Sequence, residues 1–394
     1  MLGKAITVFL NILMLVTVAS CKDPDVTGSP RTAPAIPPQV YDPTQVIPDR
    51  NLMAAVRESL SKPEGVISQS DLAGVTSILA ERKDVWVLTG LEYCTNLKHL
   101  KLAGNSNVTD LALLSSLSNL ETLTLGGTRA TNLSPLSTLV NLRVLEDAGS
   151  GLISDISALA SLNNLEYLTI HGQNINDISP LRQLSKLREL DVGSNPVRDL
   201  SPLANLTGLT FLGLSNMEAR DFSPISSLQN LTYLRLASNE ISDASFLFGL
   251  TSLRSLSLGR NFVTDVTPLS SLTGLRELWL DYNRVSDVRP LGSLNDLVSL
   301  HLQGNKISDI AALKNFTGMQ VLDLSENQVS DVSALASMSQ LTTLRLANSR
   351  VSDLSPIAPL LSLQTLLVLE GNPLSDQSLN VVIPQLRARG VEVR

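Results

Sequence analysis

Few residues of this 394-residue chain have chemistry beyond packing: three histidines, two cysteines and a column of aspartates. His99, His171 and His301 lie far apart in sequence, which leaves no joint metal site but allows pH-sensitive binding. Cys21 and Cys94 are too few for a disulfide scaffold or a cysteine-based zinc module. Asp155, Asp177, Asp199, Asp221, Asp243, Asp265, Asp287, Asp309, Asp331 and Asp353 recur every 22 residues. Such a row suits either calcium, which wants several carboxylate oxygens, or a backbone cap repeated in each unit. Ser and apolar neighbours, not a second acid, favour the cap. The chain holds no Gly-x-Ser-x-Gly elbow, phosphate loop or His-Glu-x-x-His motif. A net charge of −7 argues against a protein that tracks phosphates, so no nucleic-acid partner is expected.

The first 20 residues read as an export signal, with Lys4 ahead of an apolar Ala5–Val18 run too short to span a bilayer comfortably. The run closes Val18-Ala19-Ser20-Cys21, which resembles the bacterial lipobox. That resemblance implies lipidation of Cys21 and attachment to the membrane by acyl chains alone. With Lys22 rather than Asp after the anchor, it implies the outer membrane if the host is Gram-negative. The alternative is an ordinary cleaved signal, which would leave a Cys21–Cys94 disulfide open. Residues 22–48 hold seven prolines and read as a disordered, semi-stiff linker.

A repeat governs the rest. Leu-x-x-Leu-x-Leu begins at Leu97, Leu120, Leu142 and Leu165, then every 22 residues through Leu187, Leu209, Leu231, Leu253, Leu275, Leu297 and Met319 to Leu341. A weaker copy ends at Leu88, Leu91 and Cys94, where a buried thiol is expected, and a degenerate one reads Leu367, Leu369, Asn372, Leu374 and Asp376. In the unit Leu275–Leu294, positions 4 to 6 alternate like a half-buried strand, and Asn283 at position 9 ends it. Asp287, at position 13, starts a tight turn of 3₁₀ type on the back. One unit buries too few side chains to offset the entropy of ordering its backbone, so units must stack.

This pattern resembles the leucine-rich repeat, in the 22-residue form of internalin-type bacterial surface proteins, from about Leu72 onward. The resemblance implies an α/β repeat solenoid: an arc with a parallel concave sheet, a convex side of 3₁₀ and short turns, and helical caps. Internalins of pathogens commonly follow their repeats with an immunoglobulin-like domain and a wall anchor. Here a closing cap is read instead, so the fold is carried over and host-cell adhesion is not. The expected segments are 1–20 signal, 22–48 linker, 49–74 N-terminal cap, 75–376 repeats and 377–394 C-terminal cap. Asp49 should cap a helix through Leu60, while Leu379, Val382, Ile383 and Leu386 suit a closing helix that Gly390 ends before a last strand at Val391 and Val393.

Outward strand residues are free of the core and available for recognition. They include Tyr167, Phe211, Tyr233, Arg235, Trp279, Asp281, Tyr282 and His301. Aromatic residues with Arg are the composition of binding hot spots. Phe211 and Tyr233 fall in adjacent strands, and Gly213 between Asp191 and Arg235 predicts a shallow dip. The expectation is a monomeric, non-catalytic, cofactor-free envelope lipoprotein that binds a protein or peptide through this face. One alternative is a scaffold using its convex side or edges; another is an enzyme whose turnover would need His301 or Asp281.

Overall fold

The computed structural model describes Tyr41, Asp42 and residues 44–394. The signal-like segment, Cys21 and most of the proline-rich stretch lie outside the described residues.

Fifteen short strands, from β1 (Ser77–Leu79) to β15 (Glu392–Val393), form one parallel sheet in strict chain order. Register follows the repeat: Leu278 stands beside Leu256 on one side and Leu300 on the other. The middle residue of each strand points inward, and these leucines join one continuous core along the solenoid. On the opposite side run 3₁₀ turns such as Arg289–Ser293, with Pro290 in the first turn, where its missing N–H costs nothing.

The aspartate row is the cap of those turns. Each of its ten carboxylates accepts the backbone N–H two residues on, as Asp265 does from Thr267 at 2.8 Å and Asp331 from Ser333 at 2.8 Å. Among the described residues, no group of three or more His, Cys, Asp or Glu side chains could hold a metal ion.

A second ladder joins neighbouring repeats. Asn283 donates from Nδ2 to the Leu258 and Leu280 carbonyls at 2.9 and 3.1 Å, and its Oδ1 accepts the Val263 N–H at 2.9 Å. Asn195, Asn261, Asn305 and Asn327 repeat this pattern. One buried side chain thereby satisfies three buried backbone groups. Where the preceding repeat has an extra residue, the longer Gln173 takes the place of Asn. Its Nε2 reaches the carbonyl and Oδ1 of Asp147, both at 3.3 Å. Asp147 itself stands at a core position, 1% exposed. Its second oxygen has no partner among the described residues.

At the N-terminus, Asp49 caps helix α1 (Arg50–Leu60), as the spacing predicts. Oδ1 accepts the Asn51 and Leu52 N–H groups, while Oδ2 accepts those of Trp86 and Val87 at 2.7 and 3.1 Å. This fully buried carboxylate is both a helix cap and a rung of the ladder. Packing begins upstream of Asp49: Tyr41 bridges to Asp49 and Ile47 is buried, so the tail of the proline-rich stretch covers the first repeat.

Two details of the C-terminus differ from the sequence reading. The last full repeat buries Leu363, Leu366 and Val368, while Leu369 is 39% exposed. The extra residue falls after strand β14 (Thr365–Leu367), not before it, and a one-residue slip swaps the faces of a strand. The closing helix buries Val382, Ile383 and Leu386 but leaves Leu379 44% exposed, because its first turn, Ser378–Val382, is a wider π-turn. Cys94 is a buried free thiol, pushed up to about 12 by burial.

Candidate functional site

The sheet brings the eight candidate side chains to one surface in two groups. Strands β5 (Tyr167–Thr169), β6 (Glu189–Asp191), β7 (Phe211–Gly213) and β8 (Tyr233–Arg235) carry the first. Tyr167, Glu189, Phe211 and Tyr233 stand in one row, each beside the next. The Arg235 guanidinium lies over the Phe211 ring, 5.1 Å from its centre. That contact leaves Phe211 only 8% exposed, so it is a buttress for Arg235 and not the open anchor its position suggests. The dip expected at Gly213 is filled as well: the Asp191 carboxylate lies 2.5 Å from where a Cβ would stand. Asp191 accepts the Gly193 N–H at 3.0 Å and faces His171 Nδ1 at 3.7 Å, a contact that raises the His171 pKa.

The second group follows one strand later. Ser257, on β9 (Ser255–Ser257), separates Arg235 from Trp279 on β10 (Glu277–Trp279). The Trp279 and His301 rings stack with centres 5.6 Å apart and planes 9° from parallel. Ser299 Oγ meets His301 Nε2 at 3.0 Å, and burial holds the imidazole below its ordinary pKa. Asp281 lies over Gly259, its Oδ1 2.5 Å from where a Cβ would stand, and burial raises its pKa. Tyr282 is 36% exposed, receives the Arg260 guanidinium 4.7 Å from its ring centre and accepts from Gln303 Nε2 at 2.7 Å. Gln303 also donates to Glu326 at 2.6 Å, which ties the rim together.

Arg260, Gln303 and Glu326 were passed over in the sequence. Arg260 and Glu326 carry a signal in the repeat. Position 8 of every repeat takes a left-handed φ, and Gly104, Gly127, Gly149, Gly172 and Gly304 fill it without strain. Arg260 and Tyr282 adopt the same conformation, at φ 57° and 51°, which is costly for large side chains. A cleft of about 600 Å³ also opens beside Arg198, Met217 and Glu240, at loop residues outside both groups.

Comparison with known proteins agrees with this architecture. The family "Leucine Rich repeats (2 copies)" matches residues 229–271, 273–315 and 317–359. No curated protein matches the chain. Among solved structures, the functional domain of InlJ from Listeria monocytogenes, which includes a cysteine ladder, is 22% identical with a TM-score of 0.71, over 87% of this chain and 78% of that one. The plant peptide hormone receptor RGFR1, in complex with RGF2, is 20% identical with a TM-score of 0.63, over 75% of this chain and 51% of that one. The internalin InlF of Listeria monocytogenes is 34% identical with a TM-score of 0.73, over 88% of this chain and 95% of that one. By that identity and coverage, the chain belongs to the internalin family of leucine-rich-repeat proteins.

Proposed function

We propose that this chain is an exported, lipid-anchored protein of the bacterial cell envelope that binds a protein or peptide on its concave face without catalysis. The observation that carries the reading is the position-8 strain. Large side chains at Arg260, Tyr282 and Glu326 occupy backbone where glycine would be relaxed, and the Arg260 guanidinium lies over the Tyr282 ring. Strain retained at a surface where no core depends on it points to recognition. The convex side offers no such surplus, because its aspartates serve the turns. A peptide bound by RGFR1, which shares the fold, supplies a precedent for this use of the architecture.

The test is replacement of Tyr233, Arg235 and Trp279 together by Ala. Partners cross-linked by the wild-type chain at its native envelope should be lost, with circular dichroism and melting unchanged. Retention of those partners by a folded triple variant would reject the concave face. Localisation is tested by protease shaving of intact cells. Release of a fragment beginning near residue 41 would place the repeats outside, while protection until permeabilisation would place them in the periplasm.

A further inference from the structure

Two acids of the sheet face, Glu189 and Asp281, differ from those of the convex row. On the convex side each Asp of the row has its N–H donor. On the sheet face, Glu189 and Asp281 are desolvated, and no side-chain donor among the described residues reaches either carboxylate. Glu189 is half-buried and stands in register between Tyr167 and Phe211 on the neighbouring strands. Asp281 lies on Gly259 close to the Trp279–His301 stack. A half-buried carboxylate that no side-chain donor reaches gains from a cation, and an aromatic face beside it adds to that gain.

The surrounding charge has the same sign. From Tyr167 to Ala347, the strand and post-strand positions carry Glu189, Asp191, Glu277, Asp281, Asp323 and Glu326 against three arginines. All three arginines are engaged: Arg235 over Phe211, Arg260 over Tyr282, and Arg345 with Asp323 at 3.4 Å. Between the two acids the floor is small, formed by Ser215, Ala237 and Ser257.

We propose that the concave face receives an extended polypeptide segment with two cationic side chains. One lysine or arginine seats on Glu189 beside Tyr167, the other on Asp281 beside Trp279, and the intervening backbone crosses Ser215, Ala237 and Ser257. This rests on the concave-face reading above and names its ligand class. From β6 to β10 is four strand steps. At about 4.8 Å per strand and about 3.3 Å per extended residue, the two cations fall roughly six or seven residues apart. An acidic segment would meet like charge at both ends of the path.

The probe is a random twelve-residue peptide display library, enriched on the full repeat protein and counter-selected on the Tyr233, Arg235 and Trp279 triple Ala variant. Face-dependent peptides should carry two Lys or Arg six or seven residues apart. Their synthetic versions should bind Glu189→Gln and Asp281→Asn each about tenfold more weakly, with binding falling as salt rises. Face-dependent peptides without that basic pair, or with affinities unmoved by the two isosteric changes, would overturn the cationic ligand and leave the concave-face reading standing. A library yielding no face-dependent peptide would count against both.

Discussion

The Tyr282 ring lies directly against Gly304, with Cδ1 2.5 Å from where a Cβ on that glycine would stand. Both residues occupy position 8 of successive repeats, and both have a left-handed backbone. One supplies the ring, the other the space for it.

Gly304→Ala therefore carries two penalties, backbone strain at φ 69° and a clash with the ring. Urea unfolding should show a loss of about 2–3 kcal/mol. In a Tyr282→Ala background the clash is gone, and the same substitution should cost about 1–2 kcal/mol. Equal costs in the two backgrounds would mean that ring and glycine are not coupled.

Asp147 gives a pH dependence of opposite sign to that of the convex aspartates. Burial raises its pKa from 3.8 to about 7, against a smaller opposing effect of Gln173. Below pH 3.8 it is neutral folded or unfolded and imposes no penalty. Between 3.8 and about 7 the unfolded chain ionises first and folding stability falls; above 7 the loss is complete. Asp147→Asn removes this dependence. It should match the wild type near pH 4 and exceed it at pH 8 by on the order of 4 kcal/mol. The convex row behaves the other way. Hydrogen bonds from the turns lower Asp221, Asp265 and Asp353, and Arg289 holds Asp287 at about 2. Their contribution is present above pH 3.8 and is lost as pH falls through those lowered values. Denaturation of wild type and Asp147→Asn at pH 2.5, 4, 6 and 8 separates the two effects.

The parts legible in the sequence are those that every unit repeats. The inward leucines, the Asn rungs and the Asp caps each answer a need that recurs every 22 residues, so their spacing states their role. What was misread depends on contacts between particular neighbours. Leu367 and Leu369 alternate as well as Leu366 and Val368 do; only pairing with Leu344 decides which pair faces inward. Phe211 looks exposed until Arg235 is placed over it, and Gly213 looks open until Asp191 fills it. The candidate face was visible as a composition, but its two groups and the strain at Arg260 and Tyr282 were not.

His171 and His301 should titrate on opposite sides of the ordinary 6.5. The contact with Asp191 raises His171, while burial lowers His301. His171 then adds stability that is complete below pH 6.5 and lost as pH rises through its raised value. His301 favours the fold above pH 6.5, and that contribution is lost as pH falls through its lowered value. Nuclear magnetic resonance of the imidazole protons should resolve the two, and Asp191→Asn should move His171 downward while leaving His301 in place. A His171 that titrates unchanged in that variant would disprove the pairing.

The ladder breaks at Met217, and the break has a local consequence. Asn239 accepts the Met217 N–H at 2.8 Å, two residues earlier in the turn than the N–H that Asn283 accepts in its own preceding repeat. Met217 has no amide to offer Val192 and Leu214, the carbonyls that Asn at this position would reach by the pattern of Asn283. Met217→Asn should restore that rung and draw the loop back to the register of its neighbours, raising stability by about 1 kcal/mol despite the lost thioether. The converse change, Asn283→Met, should cost about 1–3 kcal/mol, because it leaves the buried Val263 N–H unpaired and takes one of two amide donors from the Leu258 and Leu280 carbonyls. Parallel urea titrations of both variants check the pair. Destabilisation by Met217→Asn would show that the cleft beside Met217 is held open by its own packing, independently of the ladder.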